Sequence, residues 1–233
     1  MREIVLDTET TGLDPEQGHR VLEIGAVELF NHVPTGKTLQ LYINPERDIP
    51  HESIAVHGIT NEFVKDKPVF SQVYTQFLDF IGDDSKLVIH NAEFDMKFLN
   101  AELKQVGHSP LPWSRALDTA ALARKKFPGS PANLDALCRR FGIDNSNRTF
   151  HGALLDSELL AEVYLELLGG RQHGLGLMTE NTSTQRVSQT RVTGEKPLRP
   201  ARPHQASAEE LTAHEEMIAG IKDPLWKKLK ETG

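Results

Sequence analysis

The chain has 233 residues, 38% of them hydrophobic, with a single cysteine and a net charge of −7. That length can bury a full core, and one cysteine, Cys138, excludes an internal disulfide and predicts a reducing, cytoplasmic setting. There is neither a basic leader with a long apolar run nor a stretch long enough to cross a bilayer, so no membrane partner is expected.

The charge is unevenly spread. Residues 1–170 hold 16 basic and 25 acidic side chains, residues 171–206 six and two, and residues 207–233 four and six. This predicts an acidic domain over 1–170, a flexible basic linker over 171–206 that is too poor in large apolar residues to build a core, and a terminal helical segment over 207–233.

In chain order, "EIVLD" (3–7), "RVLEIGAVELF" (20–30) and "KTLQLYIN" (37–44) read as three strands with an antiparallel start, separated by polar segments containing Gly12, Pro15, Pro34 and Gly36. A helical period follows over 69–81, then a strand at 86–90 and a helix over 93–107. A short strand at 115–119 leads into helices near 119–127, 132–141 and 152–168. Three strands followed by alternating helix and strand predict an α/β mixed sheet flanked by helices. In the tail, Ser207 and Glu210 form a capping-box pattern. Leu211, His214, Ile218 and Ile221 share helical spacing, with Asp223-Pro224 as the stop.

Acidic residues stand at the ends of these elements. Asp7 and Glu9 in "DTETTG" alternate along the first strand, so both point to one face, away from Leu6, where the strand meets a glycine turn. In "HNAEFDMKFL", Phe94, Phe98 and Leu99 are expected to face the core, leaving Asp95 at the helix head to look elsewhere. In "HGALLD", five residues on a regular helix would leave His151 and Asp156 on different faces, so Asp156 is placed on the helix and His151 in the loop before it. Four carboxylates in one pocket need compensation, and two divalent cations would offset them. Two cations suit phosphodiester hydrolysis, and histidine, which titrates near neutrality, can take the proton of the attacking water.

"DTETTG", "HNAEFD" and "HGALLD", in this order, resemble the three motifs of the DnaQ-like 3'-5' exonucleases, in the subclass whose last motif carries histidine rather than tyrosine. The resemblance covers residues 1 to about 168. It implies a ribonuclease H-like fold, Asp7, Glu9, Asp95 and Asp156 holding two Mg2+ or Mn2+ ions, His151 as general base, and release of nucleoside monophosphates from a 3' end. "ESIAVHGIT" is similar to the segment that contacts the terminal nucleotide in that family, which would place Glu52 and His57 at the substrate, with Thr10 and Gly12 approaching it through the backbone.

Within the family the chain resembles the proofreading subunits of bacterial replicative polymerases. This implies a single-stranded or frayed DNA 3' end as substrate and, as partners, the alpha subunit of DNA polymerase III, the beta sliding clamp and a small theta-like accessory subunit, all at the nucleoid. "QHGLGL" (172–177) is similar to the clamp-binding hexapeptide, with Gln172, Leu175 and Leu177 as contacts. The terminal segment would bind the polymerase through Leu211, Ile218, Leu225 and Trp226. Two other readings of the same residues are a stand-alone exonuclease trimming RNA or oligonucleotides, which the extension beyond residue 168 argues against, and a non-catalytic scaffold, which the complete set of acids argues against.

Overall fold

A computed structural model of the chain describes residues 1–146, 150–170 and 205–222. Strands β1 (Arg2–Thr10), β2 (Val21–Phe30), β3 (Val33–Tyr42), β4 (Lys86–Ile89) and β5 (Ala116–Asp118) form a mixed sheet in the order β3-β2-β1-β4-β5. The first three strands are antiparallel, and β4 and β5 run parallel to β1.

Period-two alternation along β1 divides the core into two layers. Ile4 and Leu6 pack with Phe77 and Ile81 of α3 (Phe70–Ile81) and with Met96, Phe98 and Leu99 of α4 (Ala92–Gln105). Val5 faces the opposite side, toward Leu137 and Cys138 of α6 (Leu134–Phe141) and Leu160, Val163 and Tyr164 of α7 (Ala153–Leu168). The short helix α5 (Thr119–Lys126) follows β5 directly, with the Asp118 side chain accepting from the backbone N–H groups of Ala120 and Ala121.

One expectation is corrected here. The third strand begins at Val33 rather than at residue 37, and Asn31 and His32, with φ of 50° and 66°, make a tight two-residue hairpin turn. Pro34 is tolerated because β3 is the edge of the sheet, where a missing N–H costs no ladder bond. The segment between the third strand and residue 69, for which no element was read, is helical on both sides of Gly58: α1 (His51–His57) and α2 (Asn61–Val64) sit over a small core of Leu22, Ile49, Ile59 and Val64. Seven residues with only His57 buried carry no apolar stripe for a periodicity reading to detect.

The head of α7 is pressed onto β2. A β-carbon on Gly25 would lie 2.1 Å from the carbonyl carbon of Ala153 and from the amide of Leu154. Ser157 Oγ donates to the Gly25 carbonyl at 3.0 Å, and the Ala153 amide donates to Glu23 Oε2 at 3.1 Å. Since Gly25 pairs with Asp7 and Glu23 with Glu9, this contact brings the start of α7 across from both acids. Gly25→Ala is therefore expected to cost about 3 kcal/mol by overpacking against backbone that has nowhere to move. A thermal midpoint lowered by less than about 2 °C would contradict this.

Residues 205–222 belong to a second unit and are described on their own. Helix α8 (Ala208–Gly220) has the reciprocal cap, with the Ser207 amide donating to Glu210 Oε2 at 2.8 Å and the Glu210 amide to Ser207 Oγ at 3.2 Å. It ends at Gly220, and Ile221 is already extended, so Ile221 does not continue the helical face that Leu211 and Ile218 share. Gln172, Leu175, Leu177, Leu225 and Trp226 lie outside the described residues, as does nearly all of the 171–206 segment. Among the described residues, no helix is long and apolar enough to cross a membrane.

Candidate active site

β1 runs on to Thr10, whereas its parallel neighbour β4 stops at Ile89. The strands part at their carboxyl ends, where the chain changes from antiparallel to parallel pairing, and open a crevice of about 280 Å³. Asp7, Glu9, Asp95, His151 and Asp156 all line it. The four acids and the histidine read from three separate motifs thus come together in one place.

Asp7 and Glu9 share the face of β1 that looks toward α7, and Thr8 points to the other face, where its hydroxyl donates to Asp95 Oδ1 at 2.7 Å. Asp95 is only 2% exposed. Phe94 is half-buried, packs against the core layer and Phe98 as expected and also lines the crevice, while Asp95 beside it is buried. Helix α4 starts beside the sheet's end, so its first turn overhangs the crevice while Met96, Phe98, Leu99 and Leu103 lie in the packed layer. A bidentate pair anchors the helix, with Arg20 Nε and Nη2 donating to Glu102 Oε1 and Oε2, both at 2.8 Å.

Asp156 is in the first turn of α7 and buried, and His151 precedes the helix, in the loop as expected. The two side chains do meet, however, with His151 Nδ1 3.4 Å from Asp156 Oδ2. The helical angle between them does not apply, because Gly152 is extended (φ −149°, ψ 124°) and the loop folds back over the helix head. The His151 amide donates to the Val56 carbonyl at 3.2 Å, tying the loop to α1. Glu9, His151 and Asp156 each offer a ligand atom, and these atoms all lie within 4.8 Å of one another, a spacing that could hold a cation.

Burial pushes the Asp95 carboxyl up to about 7, against the opposing effect of the Thr8 hydroxyl and with a further rise from Asp118. Without cations, native Asp95 keeps a proton that the unfolded chain releases, so this group removes stability as pH rises from the ordinary carboxylate range to about 7. Asp95→Asn, which keeps an acceptor for Thr8, is therefore expected to stabilise the chelated protein at pH 8 and not at pH 4. Thermal unfolding in chelator at both values checks this, and an equal effect at the two would contradict it.

The residues expected at the substrate do not line the acid crevice. Thr10 is buried and its hydroxyl donates to the Gly12 carbonyl at 2.6 Å, while Glu52 is exposed in the first turn of α1. His57 is buried, and its Nδ1 accepts from the Ile59 amide at 3.0 Å, which puts the proton on Nε2. That Nε2 is buried without a hydrogen-bond partner among the described residues. Burial lowers the His57 pKa, the nearby Thr10 carbonyl opposes this, and His151 lowers it further.

Thr8, His90, Asn133 and Asp135 also line the crevice and escaped the sequence reading. His90 Nδ1 is 2.9 Å from Thr119 Oγ1, and burial lowers its pKa. Asp135 had a signal: like Asp95 and Asp156, it is an acid in the first turn of a helix behind a turn, here one capped by Asn133.

Residues 4–164 match the family model described as exonuclease. The DNA polymerase III subunit epsilon of Rickettsia felis is 51% identical over 224 residues, covering 95% of this chain and 97% of the relative. The protein of the same name from Salmonella typhimurium is 46% identical, covering 93% of this chain and 92% of its own. Among solved structures, the nuclease domain of 3'hExo, a DEDDh family member, bound to rAMP, superposes with a TM-score of 0.63 at 24% identity over 72% of this chain and 91% of that one, which shows a shared ribonuclease H-like exonuclease fold. The chain belongs to the exonuclease family and, within it, to the DNA polymerase III epsilon subunits.

Proposed function

We propose that this chain is the proofreading 3'-5' exonuclease of a replicative DNA polymerase III, removing mispaired nucleotides one at a time from a DNA 3' end. The observation that carries the reading is the convergence of Asp7, Glu9, Asp95, Asp156 and His151 on one crevice at the carboxyl end of β1.

The donor set fits hard divalent cations. It is all carboxylate oxygen plus one imidazole; Glu9, His151 and Asp156 offer ligand atoms within 4.8 Å of one another, and burial raises the Asp95 carboxyl to about 7 in the absence of a cation. Asp7, Glu9, Asp95 and Asp156 would hold two Mg2+ or Mn2+ ions. When bound, such ions offset the carboxylate charge, acidify the attacking water and stabilise the charge on the departing 3' oxygen.

The chain's own residues do the rest. Asp156, close to His151 Nδ1, orients the ring so that Nε2 takes the proton from the attacking water. His151 is 48% exposed, so that proton passes on to solvent. Thr8 fixes the Asp95 carboxylate, and the Arg20–Glu102 pair fixes the helix that carries it. For a terminal nucleotide to reach these acids, a paired end must first unstack at a cost of a few kcal/mol, and a mispaired end frays at less.

The names of the relatives support membership of a DNA polymerase III assembly, in which the alpha subunit is the proposed partner. Leu211 and Ile218, together with Leu225 and Trp226, are the proposed anchors, and the 172–177 hexapeptide with Gln172, Leu175 and Leu177 is the proposed beta-clamp contact. A theta-like subunit and a cytoplasmic location at the nucleoid complete this assembly. An end-labelled primer, paired or mispaired at its 3' terminus, tests the reading. Mg2+-dependent single-nucleotide steps that are faster on the mispaired end are expected, and internal cuts or no cleavage would refute it.

A further inference from the structure

Gly12 follows Thr11 in the turn that leaves β1, and its backbone is not in the left-handed region, so its conformation does not require glycine. The space is what requires it. A β-carbon on Gly12 would lie 2.3 Å from both Cε1 and Nδ1 of His19 and 2.6 Å from its Cγ. The imidazole lies directly on the Gly12 backbone.

That ring is itself held. Thr11 is fully buried; its amide donates to the Arg20 carbonyl at 2.9 Å, and its hydroxyl accepts from the Arg20 amide at 3.0 Å. The Thr11 hydroxyl also hydrogen-bonds His19 Nδ1, 3.1 Å away. Arg20 is in turn locked to Glu102 on α4. A continuous set of contacts therefore runs from the helix that carries Asp95, through Arg20, Thr11 and His19, to Gly12.

Beyond Gly12 the chain presents Leu13, 85% exposed. Leu13 lines a groove of about 640 Å³ that shares Asn91 and Phe94 with the acid crevice. We propose that His19 is a positioning residue: its ring sets the Thr10–Leu13 turn as a fixed wall for the strand end entering the crevice, and position 12 is glycine because of this imidazole rather than because of the substrate. The proposal rests on the exonuclease reading for its effect on turnover, but its packing half does not.

The test is a four-protein cycle of wild type, Gly12→Ala, His19→Ala and the double variant, each assayed for hydrolysis of a single-stranded oligonucleotide and for thermal midpoint. Gly12→Ala is expected to raise KM about tenfold and to lower the midpoint, and His19→Ala to raise KM about threefold with kcat nearly kept. Removing the ring makes room for the methyl group, so the double variant is expected to match His19→Ala in both readouts. A double variant as impaired as Gly12→Ala would overturn the proposal, as would a His19→Ala protein with a lowered midpoint and unchanged KM. If wild type cleaves nothing, the exonuclease reading fails, while recovery or non-recovery of the midpoint in the double variant still decides whether His19 dictates Gly12.

Discussion

Asp156→Asn is expected to leave a folded protein that releases mononucleotides about a thousandfold more slowly, equivalent to roughly 4 kcal/mol of lost transition-state stabilisation. Asparagine keeps the size of the side chain and the helical bond from the residue 156 amide to the Gly152 carbonyl at 2.8 Å, so α7 should still form on β2. Two things are lost at once. The crevice gives up one carboxylate of the Glu9, His151 and Asp156 set, and His151 Nδ1 loses the charged oxygen 3.4 Å away that orients it. Release rates in saturating Mg2+, with circular dichroism to verify the fold, check this. Activity within tenfold of wild type would contradict the role of Asp156.

His151→Gln is the second large effect, and it differs in kind. A positioned base contributes about a hundred- to ten-thousandfold, so kcat should fall in that range while KM and cation affinity stay close to wild type. Glutamine keeps a polar side chain of similar reach but cannot accept the proton of the attacking water. Measuring kcat, KM and Mn2+ affinity for both proteins separates a base from a ligand, since loss of a ligand would appear instead as weakened cation binding.

Much of the site was readable because its acids sit where local rules can find them. Asp7 and Glu9 end an apolar strand, and Asp95 and Asp156 stand in first turns of helices whose apolar periods are unmistakable. The Ser207–Glu210 cap was legible for the same reason, being a contact between residues three apart.

What escaped depends on contacts between distant parts of the chain. Gly25 and Glu23 look like ordinary strand residues, yet they seat the helix that carries Asp156, more than a hundred residues away. Phe94 fits the apolar stripe and packs with it, but its turn also overhangs the crevice, which no local pattern shows. The meeting of His151 with Asp156 arises from an extended Gly152, which no helical angle describes. Helix α1 was missed because its stability comes from the small core beneath it rather than from a stripe of its own.

On the proposed reading, these carboxylates form a single two-cation centre. Calorimetric titration with Mn2+ in the presence of a nucleoside 5'-monophosphate tests it most directly. Two saturable ions per chain are predicted, falling to one or none in Asp7→Asn and in Asp156→Asn. A single ion whose binding is indifferent to both substitutions would contradict the account.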